Sequence, residues 1–336
     1  MKRAILWGWL MAAALFVPPL LTGQRQGAAQ EKTERTPGHT APLAAQEQAQ
    51  AARTDAEVTL RVKNGDEVME TTLAAYLPGV VRGEMPPSFE PEALKAQAVA
   101  ERTFICRQME TGRKSAHPDA DVCTDPGCCS AWMPEETARQ RWGGDYEALE
   151  ARVEAAVTGT DGQILLYDGA PILAVFHSSS AGVTASSGDV WSSDLPYLQS
   201  VTSPESGDSV PNYYSVVAVS ADALRSAVSA AHPEAEFSGE PETWLGEVKT
   251  NGSGRVETVT VGGAVLGGAE ARQLFSLRSA CFTPSWDGES FVFRVTGYGH
   301  GVGMSQYGAN ELARQGKTWQ EILLWYYTGV TVGRMR

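Results

Sequence analysis

The chain has 336 residues, of which 43% are hydrophobic and 20% are charged, a composition typical of globular proteins. Its formal net charge of −13 argues against a nucleic-acid partner, because phosphate binding requires clustered lysine and arginine, and the sequence has no such cluster. The length is compatible with one large domain or with two closely joined ones.

The N-terminal segment predicts export. Lys2 and Arg3 precede an apolar run from Ala4 to Leu21. A cleaved signal peptide has this outline. However, the run approaches the length of the shortest spanning helices, roughly 17 residues, and no Ala-x-Ala cleavage site follows it. We therefore favour a membrane anchor over a cleaved signal at residues 1–22, with the rest of the chain outside. Residues 23–56 are rich in Gln, Ala, Thr and Glu, which predicts a flexible linker.

The folded part is expected to begin near Glu57 and to extend to residue 336. A strand at 58–62 leads into an Asn64-Gly65 turn of the kind that closes hairpins. A short helix at 73–81 then runs towards Glu84-Met85-Pro86-Pro87. Because a proline pair forbids helix continuation, Glu84 is expected at a break in the backbone.

The rest of the chain alternates short helices with short strands, which predicts a mixed α+β fold. Pro91 occupies the favoured first position of a helix that extends to about Gln108. We expect the following elements after it: a loop at 111–146, a helix at 146–158, a hairpin formed by 164–167 and 172–176, a Ser/Gly-rich loop to 197, a strand, helix and meander at 213–268, a strand at 290–296, a Gly-rich loop at 297–303, and two final helices, the last capped by Thr318 and Glu321.

Glu84 is the first candidate for chemistry. A carboxylate between a helix end and a Pro-Pro break, beside Met85, would be partly desolvated. Desolvation raises the pKa of a carboxyl group and keeps it protonated, as a general acid at neutral pH requires. The alternative is a solvated residue at the start of a loop, and spacing alone favours that alternative. The following helix supplies Lys95, Gln97, Glu101 and Arg102, which form either a polar stripe facing a cleft or a solvated outer face.

A cysteine-rich segment is a candidate metal site. His117, Cys123, Cys128 and Cys129 combine imidazole and thiolate, the ligands of structural zinc sites. The adjacent pair Cys128 and Cys129 would not comfortably form a disulfide with each other. Free thiols, or one disulfide with a spare cysteine, are the alternatives. A Cys₃His site has no open coordination position, so its role would be structural. The sequence assigns no role to Cys106 or Cys281.

A second polar group lies towards the C-terminus. His177-Ser178-Ser179-Ser180 follows a predicted strand, and His300 lies in a Gly-rich loop. The Gly-x-Ser-x-Gly elbow of an α/β-hydrolase and the Gly-Lys-Ser/Thr of a P-loop are both missing from the sequence. The glycines more plausibly let the backbone and His300 approach a ligand closely. Ser305-Gln306-Tyr307 begin a helix, where hydroxyl and amide groups could bind sugar.

Read together, these segments resemble the family of stage II sporulation protein D. The resemblance rests on Val80–Pro86 and Glu92–Thr103, followed in the same order by Phe176–Gly182 and Gly297–Ala309. It extends from about residue 57 to 330, nearly all of the predicted folded part.

The resemblance implies a peptidoglycan lytic transglycosylase. In that family the glutamate of the Glu-Met-Pro motif, here Glu84, is the single catalytic acid and base, so no second carboxylate is needed, unlike in ordinary glycoside hydrolases. The domain at 57–336 would therefore fold around a glycan-binding cleft. The side chains expected to bind substrate are Lys95, Gln97, Arg102, His177, Ser178, Ser180, His300, Ser305, Gln306 and Tyr307.

The resemblance also implies a setting and a metal. The family acts on glycan strands whose peptide stems a partner amidase has removed, within a membrane complex that drives forespore engulfment. This chain would then be anchored in the mother-cell membrane, with its catalytic domain facing the forespore. Some members bind zinc through a His-x₅-Cys-x₄-His-Cys pattern, and Cys128 stands here in place of the second histidine. Arg82-Gly83 also replace small residues that usually precede the glutamate.

Two rival functions remain open on sequence alone. Related domains are described as enhancers of cell-wall amidases, which would bind glycan or amidase without cutting. A zinc hydrolase that uses His177 and His300 is the second rival, and it predicts immediate loss of activity with a chelator, whereas structural zinc predicts slower loss through unfolding.

Overall fold

The computed structural model describes residues 52–336, so the predicted anchor at 1–22 and most of the predicted linker lie outside the described residues. None of the helices within 52–336 is long and apolar enough to cross a membrane. The sequence predicted that the fold begins near Glu57, but ordered structure begins a few residues earlier. The Arg53 N–H donates to the Met335 carbonyl at 3.0 Å, and Asp55–Glu57 form a 3₁₀ turn. Residues 53–56, which the sequence predicted to be linker, therefore belong to the folded part.

The N-terminal half of the described chain is built mainly from helices. Its elements in chain order are β1 (Thr59–Asn64), β2 (Glu67–Thr72), α1 (Leu73–Glu84), α2 (Pro91–Thr111), β3 (Val122–Cys123), α3 (Glu135–Trp142), α4 (Tyr146–Thr158), β4 (Gln163–Tyr167), β5 (Ala170–Pro171) and β6 (Phe176–His177). β1 pairs antiparallel with β2 and parallel with β3. β4 and β5 form a short antiparallel hairpin.

The middle of the chain forms two three-stranded antiparallel sheets with two helices. Its elements are β7 (Tyr214–Ser220), α5 (Ala221–Ala231), β8 (Leu245–Thr250), β9 (Val256–Val261), β10 (Ala264–Gly267), α6 (Gly268–Leu274), β11 (Phe282–Trp286) and β12 (Ser290–Thr296). The strand orders are β10-β9-β8 and β11-β12-β7. These elements share a hydrophobic cluster that includes Leu224, Val259, Leu266, Phe291 and Phe293.

The C-terminal elements return to the N-terminal half. They are β13 (Met304–Ser305), α7 (Gln306–Arg314), α8 (Trp319–Tyr326) and β14 (Thr331–Arg334). β13 pairs in parallel with β6, and β14 pairs antiparallel with β4. Residues from both ends of the described chain therefore form one hydrophobic cluster, and the middle segment has a second. The predicted mixed α+β class is confirmed.

Most predicted elements form where local signals placed them. Pro91 is the first residue of α2, α1 ends at Glu84, and Thr318 and Glu321 make the predicted capping box. Two local predictions were wrong. The predicted loop at 111–146 contains β3 and α3. Of the predicted strand at 172–176, Ile172 bonds to Leu165 as the hairpin requires, whereas Phe176 pairs with β13. The hairpin is therefore shorter than predicted, because a strand distant in the sequence lies beside its second half.

Arg102 is a packing residue in this structure, which corrects its predicted role in substrate binding. Its side chain is fully buried and makes two bonds to the Asp55 carboxylate, at 2.7 and 2.8 Å. It also donates to the backbone carbonyls of Val157 and Gln163. These bonds connect Asp55, near the start of the described residues, to α2, α4 and β4. All of the partners named here lie inside the protein.

Candidate functional site

Glu84 is the last residue of α1 and is half-buried. One carboxylate oxygen accepts a hydrogen bond from the backbone N–H of Ala131, which lies 47 positions away in the sequence. Burial raises the pKa of Glu84 to about 7, and the Ala131 hydrogen bond opposes this rise. The prediction of a partly desolvated carboxyl at a helix end is therefore met by the geometry, and the group can exist in both protonation states near neutral pH.

The unusual Arg82-Gly83 pair explains how Ala131 comes so close. A Cβ on Gly83 would lie 2.7 Å from the Ala131 carbonyl oxygen, so only glycine lets this backbone pack against α1. Gly79, one turn earlier, similarly leaves room for the Trp132 indole. Arg82 is buried and bonds to the Glu150 carboxylate at 2.5 Å. Arg82 and Gly83 thus both have packing partners in this structure.

The loop from Glu84 to Glu90 is held by side chains from distant elements. Gln306, at the start of α7, donates from Nε2 to the Glu84 carbonyl at 2.9 Å. Asn310, one turn later, accepts from the Glu90 N–H at 2.8 Å. Arg152 donates to the carbonyls of Pro87 and Phe89. The loop is therefore anchored at both ends and in its middle, and Gln306 contacts the backbone of Glu84.

A second carboxylate, Glu101, lies behind this region. It is fully buried on α2 and accepts hydrogen bonds from Ser130 Oγ at 2.9 Å and from Gln97 Nε2 at 3.2 Å. Burial, and then the nearby charge of Glu84, raise its pKa well above the ordinary value. Burial therefore favours the neutral form of Glu101, and the side chain has no surface with which to touch a substrate. Gln97 is equally buried, so its predicted contact with substrate is corrected to this internal bond.

Sequence reasoning noticed Glu101 but gave it no role. The signal that could have identified it is the combination of Gln97 and Glu101 one helical turn apart, within a helix that is otherwise rich in alanine at 93–100.

Lys95, on the same helix, is half-exposed and pairs with Glu92 at 2.7 Å. Trp319 N–H donates to the other Glu92 oxygen. Lys95 and Glu92 thus connect α2 to α8.

The two predicted histidines lie side by side, with ring centroids 5.7 Å apart. His177 is buried and donates from Nδ1 to the Val302 carbonyl at 3.2 Å, whereas His300 accepts at Nδ1 from the Val302 N–H at 3.1 Å. Burial lowers the pKa of His177 to about 4 and also lowers that of His300. Both imidazoles are therefore neutral at neutral pH. Trp191 adds an aromatic ring 5.5 Å from that of His300.

The predicted serine ligands are used inside the protein by Glu205, a residue that sequence reasoning missed. Its buried carboxylate accepts from the hydroxyl groups of Ser180 at 2.8 Å and Ser305 at 2.5 Å, and also from that of Ser203. The expectation that Ser180 and Ser305 bind substrate is therefore corrected, because both are buried and bonded internally. Only Ser203 is a neighbour in the sequence, and the other two partners, Ser180 and Ser305, come from distant segments, so no local pattern marks Glu205.

Ser178 and Tyr307 remain half-buried beside this network. The Tyr307 N–H donates to the Ser178 carbonyl at 3.0 Å. The Tyr307 ring packs edge-on against Phe89 with centroids 4.9 Å apart. Tyr307 thus contacts the loop that follows Glu84, and Gln306 contacts Glu84 itself. Of the ten side chains predicted to bind substrate, Gln306 and Tyr307 have the most direct contact with that loop.

The four predicted metal ligands come together. The ligand atoms of His117, Cys123, Cys128 and Cys129 all lie within 4.8 Å of one another. His117 is fully buried, and its Nδ1 lies 2.9 Å from the Ala120 carbonyl, which turns Nε2 towards Cys129 Sγ at 3.4 Å. All five cysteines are free thiols, so the disulfide alternative is not what the structure shows. A carbonyl that orients a histidine in this way is typical of metal sites.

Known proteins resemble this chain along nearly its whole length. A family model described as "Stage II sporulation protein" matches residues 61–167. The stage II sporulation protein D of Bacillus amyloliquefaciens is 34% identical over 96% of this chain and 93% of its own. The stage II sporulation protein D of Bacillus subtilis is 33% identical over 98% of this chain and 95% of its own length. A Bacillus subtilis protein named "Amidase enhancer" is 29% identical over 76% of this chain and 40% of its own.

We predict that Gly83→Ala will lower the free energy of unfolding by about 1–3 kcal/mol, because the added methyl group displaces the Ala131 backbone. The pKa of Glu84 should rise as well, since the Ala131 hydrogen bond lowers it. Urea denaturation and NMR titration of Glu84 measure the two effects. The matched control is Gly144→Ala, where a Cβ meets open space. A Gly83→Ala protein as stable as the control would contradict the packing described here.

Proposed function

This chain belongs to the family of stage II sporulation protein D, and on that premise we propose that it is a peptidoglycan lytic transglycosylase. Its substrate would be glycan stripped of peptide stems, cut between N-acetylmuramic acid and N-acetylglucosamine during engulfment. The observation that carries the proposal is Glu84, a half-buried carboxyl with a pKa of about 7, on a loop anchored by Gln306 and Asn310.

One group can serve both halves of the proposed reaction. Protonated Glu84 gives its proton to the glycosidic oxygen as the bond to C1 of the muramic acid breaks. The resulting carboxylate takes the proton from the 6-hydroxyl of the same sugar, whose oxygen bonds to C1 and closes a 1,6-anhydro ring. Glu84 ends the cycle protonated, and no water enters. A pKa near the working pH suits a residue that must act first as acid and then as base.

The environment of Glu101 supports this reaction over hydrolysis. Glycoside hydrolases use two carboxylates roughly 5–10 Å apart that both face the substrate. Burial and then the charge of Glu84 raise the pKa of Glu101, whose side chain is fully buried. It therefore cannot activate a water molecule on the sugar. The raised pKa of Glu101 also disfavours a second negative charge behind Glu84.

We also propose that the His/Cys cluster binds one structural zinc ion. Its donors, one imidazole and three thiols, are those of closed tetrahedral zinc sites. Cys129 immediately precedes Ser130 and Ala131, whose hydroxyl and N–H bond to Glu101 and Glu84. Zinc bound there would restrain the segment that contacts both carboxylates, without taking part in the reaction.

A second candidate function is favoured by the similarity to the protein named amidase enhancer. In that case the chain would bind glycan or a cell-wall amidase without cutting. In either case we propose that the partners are glycan strands, an amidase and a membrane protein of the engulfment complex. We also propose that residues 1–22 anchor the chain in the mother-cell membrane, facing the forespore.

We predict that Glu84→Gln will lower the cleavage rate by about 10²–10⁴-fold, because the amide keeps the shape but cannot transfer the proton. Mass spectrometry of products from peptide-free glycan should show 1,6-anhydro ends without oxygen from ¹⁸O-labelled water. Glu90→Gln, in the same loop, is the matched control and should stay within threefold of wild type. Reducing ends that carry the label would indicate a hydrolase, and absence of cleavage by the wild-type protein would favour the enhancer.

The raised pKa of Glu84 predicts a pH dependence of kcat/KM. The protonated form acts first, and it is lost as pH rises through about 7. Cleavage should therefore fall roughly tenfold per pH unit above that value. The same raised pKa means that folding becomes less favourable as pH rises from 4.5 to 7, so Glu84→Gln should be more stable than wild type at pH 8. A rate that increases between pH 7 and 9 would argue against Glu84 as the acid.

The zinc proposal predicts one equivalent of zinc per chain, with zinc–sulfur distances of about 2.3 Å by X-ray absorption. Cys128→Ser should lower both metal content and melting temperature, and reduce activity only through displacement of the Ser130–Ala131 segment. Cys128→His should retain the metal. Cys106→Ser, outside the cluster, is the control and should bind zinc normally. Less than a tenth of an equivalent in protein purified without chelator would contradict the proposal.

A further inference from the structure

Lys114 lies against the His/Cys cluster that is formed by His117, Cys123, Cys128 and Cys129. Its ammonium group donates to Cys129 Sγ at 3.5 Å and also to the backbone carbonyl of Cys128. The same group lies 5.4 Å from the centroid of the Phe104 ring on α2, within the range of a cation–π contact. The half-buried Lys114 side chain is therefore held between an aromatic ring and the cluster.

The backbone of Lys114 contacts the cluster as well. The His117 N–H donates to the Lys114 carbonyl at 3.0 Å, which closes a turn before the histidine. The sulfur atoms of Cys128 and Cys129 come from a second segment, whose own turn is closed by hydrogen bonds from both cysteine N–H groups to the Asp125 carbonyl. Lys114 thus bonds to the first segment through its carbonyl and to the second through its ammonium group.

A zinc ion in this cluster would leave the site with one net negative charge. Zinc brings two positive charges, each of the three cysteines binds as a thiolate, and imidazole binds in its neutral form. His117 and Cys123 are buried, and Cys128 and Cys129 are half-buried. Water can therefore compensate the charge only in part, and a buried charge without a partner is costly.

The segment that leads from the cluster to the candidate active site meets acids rather than bases. Cys129 is followed by Ser130 and Ala131, which bond to the carboxyl groups of Glu101 and Glu84. Those groups add negative charge or none. Lys114 meets the cluster with the opposite charge, and a hydrogen bond between a cation and an anion is roughly twice as strong as one between neutral groups.

We propose that Lys114 is the charge partner of a zinc site with three thiolates. Its ammonium group offsets the charge that the third thiolate adds, and it thereby raises the affinity of the site for zinc. This inference rests on the proposed zinc site and goes beyond it, because it gives a role to a side chain that does not bind the metal. Groups that bond to metal ligands commonly set both the position and the affinity of the ligands.

The test measures the dissociation constant of zinc for the purified full chain, by competition with a coloured chelator at neutral pH. We expect Lys114→Met to raise this constant by about 10–100-fold, the usual effect of removing a group that bonds to a metal ligand. Methionine keeps most of the side-chain length but has no charge. Lys114→Gln keeps N–H donors without the charge and should show a similar loss. Lys114→Arg keeps the charge and should remain within about threefold of wild type.

A second background separates charge from position. Cys128→His replaces one thiolate by a neutral imidazole, so a zinc site with the remaining two thiolates would have no net charge. In that background, Lys114→Met should raise the dissociation constant by less than about threefold, because the charge that Lys114 offsets has been removed. An equal loss in both backgrounds would show that Lys114 only positions the ligands, and it would overturn the proposal.

Arg113→Met is the matched control, because it removes the same charge from the adjacent residue. Arg113 is exposed and pairs with Asp121 at 3.0 Å, so its loss should leave the affinity for zinc unchanged. Normal zinc binding by both wild type and Lys114→Met would overturn this inference and leave the zinc site in place. A wild-type protein that binds no zinc would instead overturn the zinc site, and this inference with it. Neither result depends on whether Glu84 cleaves glycan.

Discussion

The hydrogen bond from the Ala131 N–H to Glu84 is the contact on which the organisation of the candidate site depends. It requires the backbone at 131 to lie against α1, and Gly83 provides the space. It also places Ser130 within reach of Glu101, so that one dipeptide bonds to two carboxyl groups. Cys129 of the His/Cys cluster immediately precedes Ser130. The cluster is therefore placed to restrain the segment that contacts Glu84, the catalytic acid that we propose.

The other side of Glu84 is organised by α7. This helix begins at Gln306, which bonds to the Glu84 carbonyl, and its start is positioned by Ser305, the N-cap residue. Ser305 is in turn bonded to Glu205. The glycine at 308 is needed for the same reason as Gly83, since a Cβ there would lie 2.1 Å from the Tyr326 hydroxyl group. Ser305, which the sequence predicted as a substrate ligand, thus helps to fix the position of α7, the helix that holds the loop after Glu84.

Buried charge is distributed unevenly across the molecule. The buried acids have compensation: burial favours the neutral form of Glu101, and serine hydroxyl groups donate to Glu205. Beside the glycine-rich loop, buried Arg255 and Arg272 donate to the backbone carbonyls of His300 and Leu277. Backbone carbonyls offset the burial of a guanidinium group less fully than a carboxylate does.

The sequence by itself determined the features that depend on neighbouring residues. These are the end of α1 and the start of α2, set by prolines, the capping box of α8, the α+β class, and the four residues of the His/Cys cluster. It also identified Glu84 as a carboxyl at a helix end. Short-range signals suffice for these features, because caps, proline sterics and hydrophobic periodicity act within a few residues.

Only the tertiary structure decided which polar residues face a ligand and which are used inside the protein. Arg102, Ser180 and Ser305 are residue types expected in a binding site, yet each bonds to a carboxylate from a distant segment and is buried. Gln97 is buried as well and bonds to Glu101 on its own helix. Glu84 meets Gln306 across 222 positions. Hydrogen bonds of buried polar groups must be satisfied by whatever the fold brings near, and no local pattern in the chain specifies that neighbour.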